Sequence, residues 1–199
     1  MTTIPPPLLA PIYLRRAMPN AGQALRAMLS RCSFESLQAR FLATTATTAE
    51  ADELVGLVGD MSAVTALEVY VDTVVRDGDH ATLLAWQGEQ VLAAGSILPA
   101  RGALAEVALI VEDRWQNHGL GSLMAAMLAE VAQAGGLDFA CAYLGTGNVR
   151  ARKLITRFCP GARFLAPEAG VVDVVIPVDA LNAGALNQYR LDADGRWSR

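Results

Sequence analysis

Residues 105–122 have the sequence AEVALIVEDRWQNHGLGS, and this stretch decides the fold. The apolar run from Ala105 to Val111 predicts a strand, which leads into a loop with Gly119 and Gly121 at the start of a helix. Glycine lacks a Cβ atom, so its backbone can approach a phosphate, and a helix N-terminus adds unpaired N–H groups and a positive dipole end. The stretch therefore predicts an anion-binding loop.

Two common phosphate-binding loops do not match this spacing. A P-loop requires Lys and then Ser or Thr after its second glycine, whereas Gly121 is followed by Ser122 and Leu123. The Rossmann fingerprint requires a third glycine, which is absent here. What remains is the pattern Gln116-x-x-Gly119-x-Gly121, which an ordinary glycine-rich turn between a strand and a helix also permits.

This pattern resembles the pyrophosphate-binding signature Q/R-x-x-G-x-G/A of the GNAT superfamily of N-acetyltransferases. Residues 105–121 are also similar to the run A-E-x-A-x-x-V-x-D-x-W-Q-x-x-G-x-G of one bacterial GNAT group, which includes protein-lysine acetyltransferases acting on acyl-CoA synthetases. Residues 32–41, CSFESLQARF, resemble the segment L-S-x-E-S-L-x-x-R-F of that group, with Cys32 in place of Leu. Residues 148–154, NVRARKL, resemble its helix start N-x-x-A-x-x-L.

The resemblance covers roughly residues 12–178 and is patchy between residues 44 and 79. It implies an α+β, three-layer GNAT fold, with a mixed, mostly antiparallel sheet flanked by helices. No internal repeat or linker divides the sequence, so we expect one domain over residues 1–199 with a core at about 12–178. The implied activity is transfer of an acetyl group from acetyl-CoA to a primary amine by direct attack in a ternary complex. The amine belongs to a small molecule or to a protein lysine.

The resemblance also implies which residues hold acetyl-CoA. We expect the strand backbone at residues 109–111 to bind the pantetheine amides as an added strand would. Asn148 is placed to cap its helix, to contact CoA, or both. His118 is expected near phosphate rather than as a metal ligand, because His80 is the only other histidine. The predicted CoA-binding set is Leu109, Ile110, Val111, Gln116, Asn117, His118, Gly119, Leu120, Gly121, Ser122 and Asn148.

Glu106 is the candidate general base. An ammonium acceptor must lose a proton before its lone pair can attack a thioester, and Glu106 begins the strand that leads to the anion-binding loop. It matches a glutamate that often serves as the base in related enzymes. Its apolar neighbours Ala105, Val107 and Leu109 predict a raised pKa for its carboxyl group. A solvated carboxylate, or one that only binds a cationic substrate, is the alternative. We expect Glu112 and Asp113 to be turn and cap residues.

One position departs from the family pattern. Many GNAT enzymes carry, just after the Leu of N-x-x-A-x-x-L, a Tyr that protonates the leaving thiolate, whereas this chain has Ile155 there. Tyr143 on a predicted strand is the remaining candidate acid, and a role in the core is its alternative. This departure leaves a second function open, a noncatalytic acyl-CoA-binding regulatory module with the same fold.

Composition narrows the class of protein. Of the 199 residues, 53% are hydrophobic, so the chain is long and apolar enough to bury one core. The net charge of −4 comes without a basic patch, which argues against nucleic acid as a partner. No apolar run approaches the roughly 20 residues of a membrane helix, and the first residues lack a basic region typical of a signal peptide. The apolar surplus makes a homodimer a possible state, with a monomer as the alternative.

The cysteine pattern indicates a cytoplasmic protein without metal. The chain has three widely spaced cysteines, Cys32, Cys141 and Cys159. An odd number at this spacing favours neither a disulfide framework nor a zinc site. Reduced, buried thiols are therefore expected.

Hydrophobic periodicity predicts the order of elements along the chain. Strands are expected at residues 12–16, 81–86, 91–98, 104–111, 137–144 and 171–178, and helices at 21–31, 33–41, 49–58, 119–134 and 148–158. Residues 61–75 form a further apolar segment. We expect the loop at 87–90 to be longer than the shortest hairpin turns, strand–helix–strand crossovers to be parallel, and the tail from Asn182 to be peripheral.

Overall fold

The structure, a computed structural model, describes residues 11–45, 63–76, 80–99, 104–180, 190–191 and 196–198. Its helices are α1 (Gly22–Leu29), α2 (Phe34–Thr45), α3 (Ala63–Val75), α4 (Leu120–Ala134) and α5 (Val149–Phe158). Its strands are β1 (Ile12–Arg16), β2 (Ala81–Gln87), β3 (Gln90–Pro99), β4 (Ala105–Val111), β5 (Phe139–Gly145), β6 (Arg163–Phe164), β7 (Val171–Pro177), β8 (Arg190–Leu191) and β9 (Arg196–Ser198). The helix expected at 49–58 lies outside the described residues.

The strands form one sheet in the order β6-β7-β5-β4-β3-β2-β1-β9-β8. Strands β4 and β5 pair in parallel, because helix α4 carries the chain back to the starting edge of the sheet. Every other pairing among the described strands is antiparallel. The predicted mixed, mostly antiparallel sheet is therefore confirmed. The expected parallel crossover around α5 is wrong, since β7 follows the short strand β6 in a hairpin and lies antiparallel to β5.

Helices cover both faces of the sheet, which gives three layers. On one face, α1 and α3 pack on β2 and β3 through fully buried apolar side chains such as Leu25 and Val71. On the other face, α4 packs on β3 and β4, and α5 lies beside it. Helix α4 approaches β3 closely at Gly95, where an added Cβ atom would lie 2.8 Å from Leu128 Cδ1. A larger residue at position 95 would force the side chains of Leu128 and Met124 to shift.

The hairpin between β2 and β3 is tighter than expected. Gln87 pairs with Gln90, which leaves Gly88 and Glu89 as a two-residue turn. Gly88 has a φ of 58°, the left-handed conformation that a glycine adopts at the first position of such a turn. The polar side chains of Gln87 and Gln90 favour a loop in the sequence, but both residues are still paired within the ladder.

The end of the chain takes part in the sheet, contrary to the expectation of a peripheral tail. Strand β9 pairs antiparallel with β1, with Ile12 opposite Trp197, and β8 pairs with β9. Two- and three-residue strands are too short to give a periodic signal, which is why they were not predicted. They extend the sheet beyond β1, on the side remote from β4 and β5.

Candidate active site

The parallel ladder between β4 and β5 is short. It consists of two residue pairs, Ala105 with Ala140 and Glu106 with Cys141. Beyond these pairs the strands separate, while β4 stays paired with β3 and β5 with β7. A cleft of about 1000 Å³ lies at this gap and is lined by both strands, by α2 and by the N-terminal ends of α4 and α5.

Two hydrogen bonds show which backbone groups of β4 face the cleft and which face β3. The N–H of Glu112 donates to a carbonyl of β3 at 2.9 Å, whereas the carbonyl of Val111 accepts from the side chain of Gln116 at 3.0 Å. Successive strand residues direct their backbone groups to opposite sides. The backbone groups of Leu109 and Val111 thus face the cleft, and those of Ile110 face β3. An extended ligand could add to this edge as a strand does.

The loop before α4 is shaped by a left-handed glycine. Gly119 has a φ of 89° and is the N-cap residue of α4. Asn117, two residues earlier, also has a positive φ, of 63°. Side chains with a Cβ atom rarely adopt the conformation of Gly119, so the backbone alone requires glycine there. At Gly121, by contrast, an added Cβ atom would meet its nearest atom, Val111 Cγ2, at 3.7 Å, which is ordinary contact.

The start of α4 can accept an anion. Its first intrahelical hydrogen bond runs from Leu123 N–H to the Gly119 carbonyl at 3.0 Å, and no side chain caps the helix. The N–H groups of residues 120–122 precede that bond and lie at the positive end of the helix dipole. Both Gly121 and Ser122 line the cleft. These donors fit a pyrophosphate group, so the residues present are suited to CoA.

The Gln116 side chain ties together three parts of the site. Its Nε2 donates to Ser36 Oγ of α2 at 2.9 Å and to the Val111 carbonyl at 3.0 Å. Its Oε1 accepts from Arg150 Nη1 of α5 at 2.6 Å. The amide is thereby engaged with protein on both sides. In this protein, the Gln of the signature therefore links the loop to α2 and α5.

The carboxylate of Asp113 anchors α2 to the same loop. Its Oδ2 accepts the backbone N–H of Ser33 at 2.7 Å, and its Oδ1 accepts the hydroxyl groups of Ser33 at 2.7 Å and Ser36 at 2.8 Å. Burial alone would raise the pKa of Asp113, but these hydrogen bonds to Ser33 and Ser36 outweigh it and lower that pKa. Ser33 is itself the predicted cap, since its hydroxyl accepts the N–H of Ser36 at 3.2 Å.

Glu112 is more than a turn residue. Its buried carboxylate pairs with Arg31 at 2.9 Å and with Arg114. Arg31 also donates to the backbone carbonyls of Ala27 at 2.8 Å and Val91 at 2.8 Å. The loop is thus held against α1 and β3 as well as against α2.

Glu106 lies at the closed end of the cleft. It is half-buried, and its side chain projects to the face of the sheet that α2 covers, since its neighbours Ala105 and Val107 pack on the opposite face. Burial raises the pKa of Glu106, and the charge of Arg40 on α2 offsets this only in part. The raised pKa agrees in direction with the sequence-based expectation and suits a group that exchanges protons.

Tyr143 lies two residues beyond Cys141 on β5 and lines the cleft. The Cys141 thiol donates to Tyr143 Oη at 3.7 Å, and Asp173 pairs opposite Tyr143 on β7. Burial, the Cys141 contact and the nearby carboxylates raise the pKa of Tyr143 well above its usual range. Its hydroxyl is protonated at neutral pH, and the raised pKa makes it a weaker acid than an ordinary Tyr. Ile155 also lines the cleft, on the side of α5.

Most of the sequence-predicted CoA-binding residues line this one cleft, but two do not. His118 is exposed outside the lining, and the Leu120 side chain is buried in the core with Trp115. Asn148 lines the cleft and caps α5, accepting the N–H of Ala151 at 3.0 Å. The predicted residues that line the cleft are Glu106, Tyr143, Leu109, Ile110, Val111, Gln116, Asn117, Gly119, Gly121, Ser122 and Asn148.

Helix α2 contributes side chains to the cleft that the sequence did not predict. Glu35, Ser36 and Arg40 line the cleft, although the resemblance of this segment had been noted without assigning it to the site. A usable signal was present, because Arg40 is a charged residue between the apolar positions Leu37 and Phe41 of a helix. Arg150 was not predicted either, although it lines the cleft and donates to Gln116.

Within the described ranges, no group of three or more His, Cys, Asp or Glu side chains is arranged to hold a metal ion. No helix in the same part of the chain is both long and apolar enough to span a bilayer.

Residues 50–159 match the family model described as the acetyltransferase (GNAT) family, which covers more than half of the chain. The chain belongs to the GNAT family of acetyltransferases. The split between β4 and β5 and the loop before α4 are thus features of a GNAT protein. A search of curated protein sequences gives no match.

Solved GNAT structures share the fold at low sequence identity. The GNAT domain of PAT from S. lividans is 22% identical, with a TM-score of 0.63, over 82% of this chain and 89% of that one. The ribosomal-protein-alanine N-acetyltransferase from Brucella melitensis is 17% identical, with a TM-score of 0.56, over 82% and 98%. PaiA N-acetyltransferase from Thermoplasma acidophilum, in complex with coenzyme A, is 12% identical, with a TM-score of 0.57, over 83% and 98%.

Proposed function

We propose that this GNAT protein transfers an acetyl group from acetyl-CoA to a primary amine by direct attack in a ternary complex. The observation that carries the proposal is the cleft between β4 and β5, which has anion-binding donors at one end and the half-buried Glu106 at the other. Acetyl-CoA supplies an activated acetyl thioester. The acceptor amine belongs to a small molecule or to a protein lysine.

Three groups of this chain are assigned to acetyl-CoA. The N–H groups at the start of α4, with Gly119 and Gly121 around them, would hold the pyrophosphate. The outward-facing backbone of Leu109 and Val111 would bind the pantetheine amides as an added strand. Asn148 and the exposed Arg150 lie next to the loop, where they would contact the phosphates.

Two side chains are assigned to proton transfer. Glu106 would take the proton from the acceptor ammonium, which frees the lone pair of the amine for attack. The protonated hydroxyl of Tyr143 would give its proton to the departing thiolate, in place of the Tyr that Ile155 replaces. Both side chains lie on the same face of the sheet at the point where β4 and β5 diverge.

Release of CoA by the purified protein tests this proposal. The protein is incubated with acetyl-CoA and a panel of amines, amino acids and lysine peptides, and free thiol is measured. Release that depends on one acceptor class supports the proposal. Tight acetyl-CoA binding without release for any acceptor instead supports the second candidate, a noncatalytic acyl-CoA-binding module, which the presence of Ile155 favours.

We propose a single domain over residues 1–199 that acts in the cytoplasm without metal. Activity lost to a chelator and restored by a divalent ion would overturn the metal-free assignment. Light scattering decides between a homodimer and a monomer.

A further inference from the structure

Arg40 holds a positive charge inside the acceptor end of the cleft. It lies on α2, is only 8% exposed and lines the cleft. Its guanidinium carbon lies 4.9 Å from the ring centroid of Tyr70 and 5.3 Å from that of Phe41. The two rings contact each other edge to face, with centroids 5.2 Å apart. The aromatic pair thus fixes the position of the charge by cation–π contacts.

The Arg40 guanidinium forms no direct ion pair with a carboxylate among the described residues. The buried Nε of Arg40 has no hydrogen-bond acceptor, and no described carboxylate forms an ion pair with its guanidinium. Arg26, Arg31 and Arg114 are each paired with carboxylates. A buried guanidinium that no described carboxylate contacts directly is costly, so such a side chain is expected where a ligand supplies the anion.

The charge acts on the reacting end of the cleft. Arg40 is close enough to Glu106 to lower the pKa of that carboxyl group, yet the two side chains form no ion pair with each other. A negative group and an ammonium group therefore have separate places, one at Arg40 and one at Glu106. A small acceptor that carries both a negative group and an ammonium group could occupy both places.

We propose that Arg40 binds a carboxylate of the acceptor, so that the amine acetylated at Glu106 belongs to a free amino acid. The proposal rests on the acetyltransferase function proposed above. A polyamine would bring a second ammonium group toward Arg40 and be repelled. A lysine side chain of a protein offers only neutral amides nearby, which leaves the guanidinium unpaired. Because Arg40 is almost fully buried, a compact carboxylate suits it better than a polypeptide.

Calorimetry can test this without turnover. The protein is saturated with CoA and titrated with the twenty common amino acids, each compared with its carboxamide, which keeps the amine and removes the carboxylate charge. At least one amino acid should bind roughly 10- to 100-fold more tightly than its carboxamide, the usual range for a charge-assisted hydrogen bond. The variant Arg40→Met should abolish this difference, and Arg40→Lys, which keeps the charge, should restore part of it.

Arg152→Met serves as the matched control. Arg152 also stacks on an aromatic ring, with its guanidinium carbon 4.5 Å from the Phe164 centroid, but it is exposed and outside the cleft lining. The control should bind the amino acid and its carboxamide as the wild type does. Arg40→Met should also keep or raise the melting temperature, because it removes a buried unpaired charge.

The outcomes separate this inference from the proposed function. Equal binding of amino acids and carboxamides, or no binding of any amino acid, overturns the inference. CoA release with a polyamine or a lysine peptide that Arg40→Met leaves within twofold of wild type also overturns it, while the acetyltransferase function stands. Carboxylate-dependent binding that Arg40→Met abolishes supports the inference, even if acetyl-CoA is not turned over and the proposed reaction fails.

Discussion

Asp113 accepts two hydrogen bonds from Ser33, one from the backbone N–H at 2.7 Å and one from the hydroxyl at 2.7 Å. The two residues are 80 positions apart in the chain. They join the S-x-E-S segment of α2 to the loop that precedes α4, and Ser36 strengthens the link by donating to the same carboxylate at 2.8 Å. The placement of α2 over the cleft therefore depends on a carboxylate in the anion-binding loop.

Replacing Asp113 by Asn should destabilise the protein by about 1–2 kcal/mol at pH 7, because the hydrogen bonds from Ser33 and Ser36 lose a charged acceptor. The pKa of Asp113 is lowered in the folded protein. Its stabilising contribution is therefore present above the ordinary value of 3.8 and lost as the pH falls through the lower pKa of the folded state. Urea unfolding at several pH values should show the difference between wild type and variant shrinking in acid. Asp138→Asn, at an exposed position, is the control.

The two loop glycines should respond differently to Ala. Gly119→Ala forces a side chain into a φ of 89° and should lower stability by about 1 kcal/mol without ligand. Gly121→Ala meets only ordinary contacts and should leave the free protein nearly unchanged. If the backbone must approach a pyrophosphate at Gly121, this variant should nevertheless lose most of the increase in melting temperature that acetyl-CoA gives the wild type. An unchanged acetyl-CoA shift in Gly121→Ala would place the pyrophosphate elsewhere.

Glu106→Gln should separate catalysis from cofactor binding. The amide keeps the size and polarity of the side chain but cannot take a proton, so turnover should fall about 100-fold while acetyl-CoA affinity stays within a few-fold. The loss should shrink at high pH, where more of the acceptor amine is already neutral. Turnover of the wild type should fall as the pH drops through a pKa above the ordinary 4.5. Wild-type rates for the variant between pH 6 and 9 would remove Glu106 as the base.

The same substitution should affect folding in a pH-dependent way. Because burial raises the pKa of Glu106, the folded state favours its protonated form. The favourable contribution is fully present below the ordinary pKa of 4.5 and is lost as the pH rises through the raised one. At neutral pH, Glu106→Gln should therefore be more stable than wild type, and at pH 4 the difference should vanish. Thermal melts at the two pH values measure this without any acceptor.

Tyr143→Phe tests the second proton transfer. Loss of the hydroxyl should lower turnover by about 10- to 100-fold if that group protonates the thiolate. The double variant with Ile155→Tyr places a phenol at the usual family position in the cleft lining and should recover part of the loss. Single-turnover kinetics give the rate of the chemical step directly. A Tyr143→Phe enzyme with unchanged turnover would assign the proton to water.

The sequence predicted the elements around the site well, because they combine strong periodicity with clear end signals. Ala105–Val111 is an apolar strand that runs into a glycine loop, and Asn148 caps α5 as expected. These local patterns follow from spacing along the chain. The edge strands β8 and β9 were missed because pairing, rather than periodicity, defines them.

The electrostatics of the site were only partly predictable. The raised pKa of Glu106 was expected from its apolar neighbours. The partnership of Gln116 with Ser36 and Arg150 was not expected, because it joins residues about 80 and 34 positions apart that only the fold brings together. The burial of Arg40 against Tyr70 was not predictable either, because it depends on how α2 packs on α3.

The two-pair ladder between β4 and β5 has a mechanical consequence. It divides the sheet into two slabs, β1–β4 with β8 and β9 on one side and β5–β7 on the other, which share few backbone hydrogen bonds across the seam. The free protein is expected to open along this seam more readily than within either slab. A ligand that bonds to the β4 edge and contacts β5 would connect the two parts of the sheet and restrict their separation. Amide hydrogen exchange in β5 and β7 should then slow on binding, even at positions that the ligand does not touch.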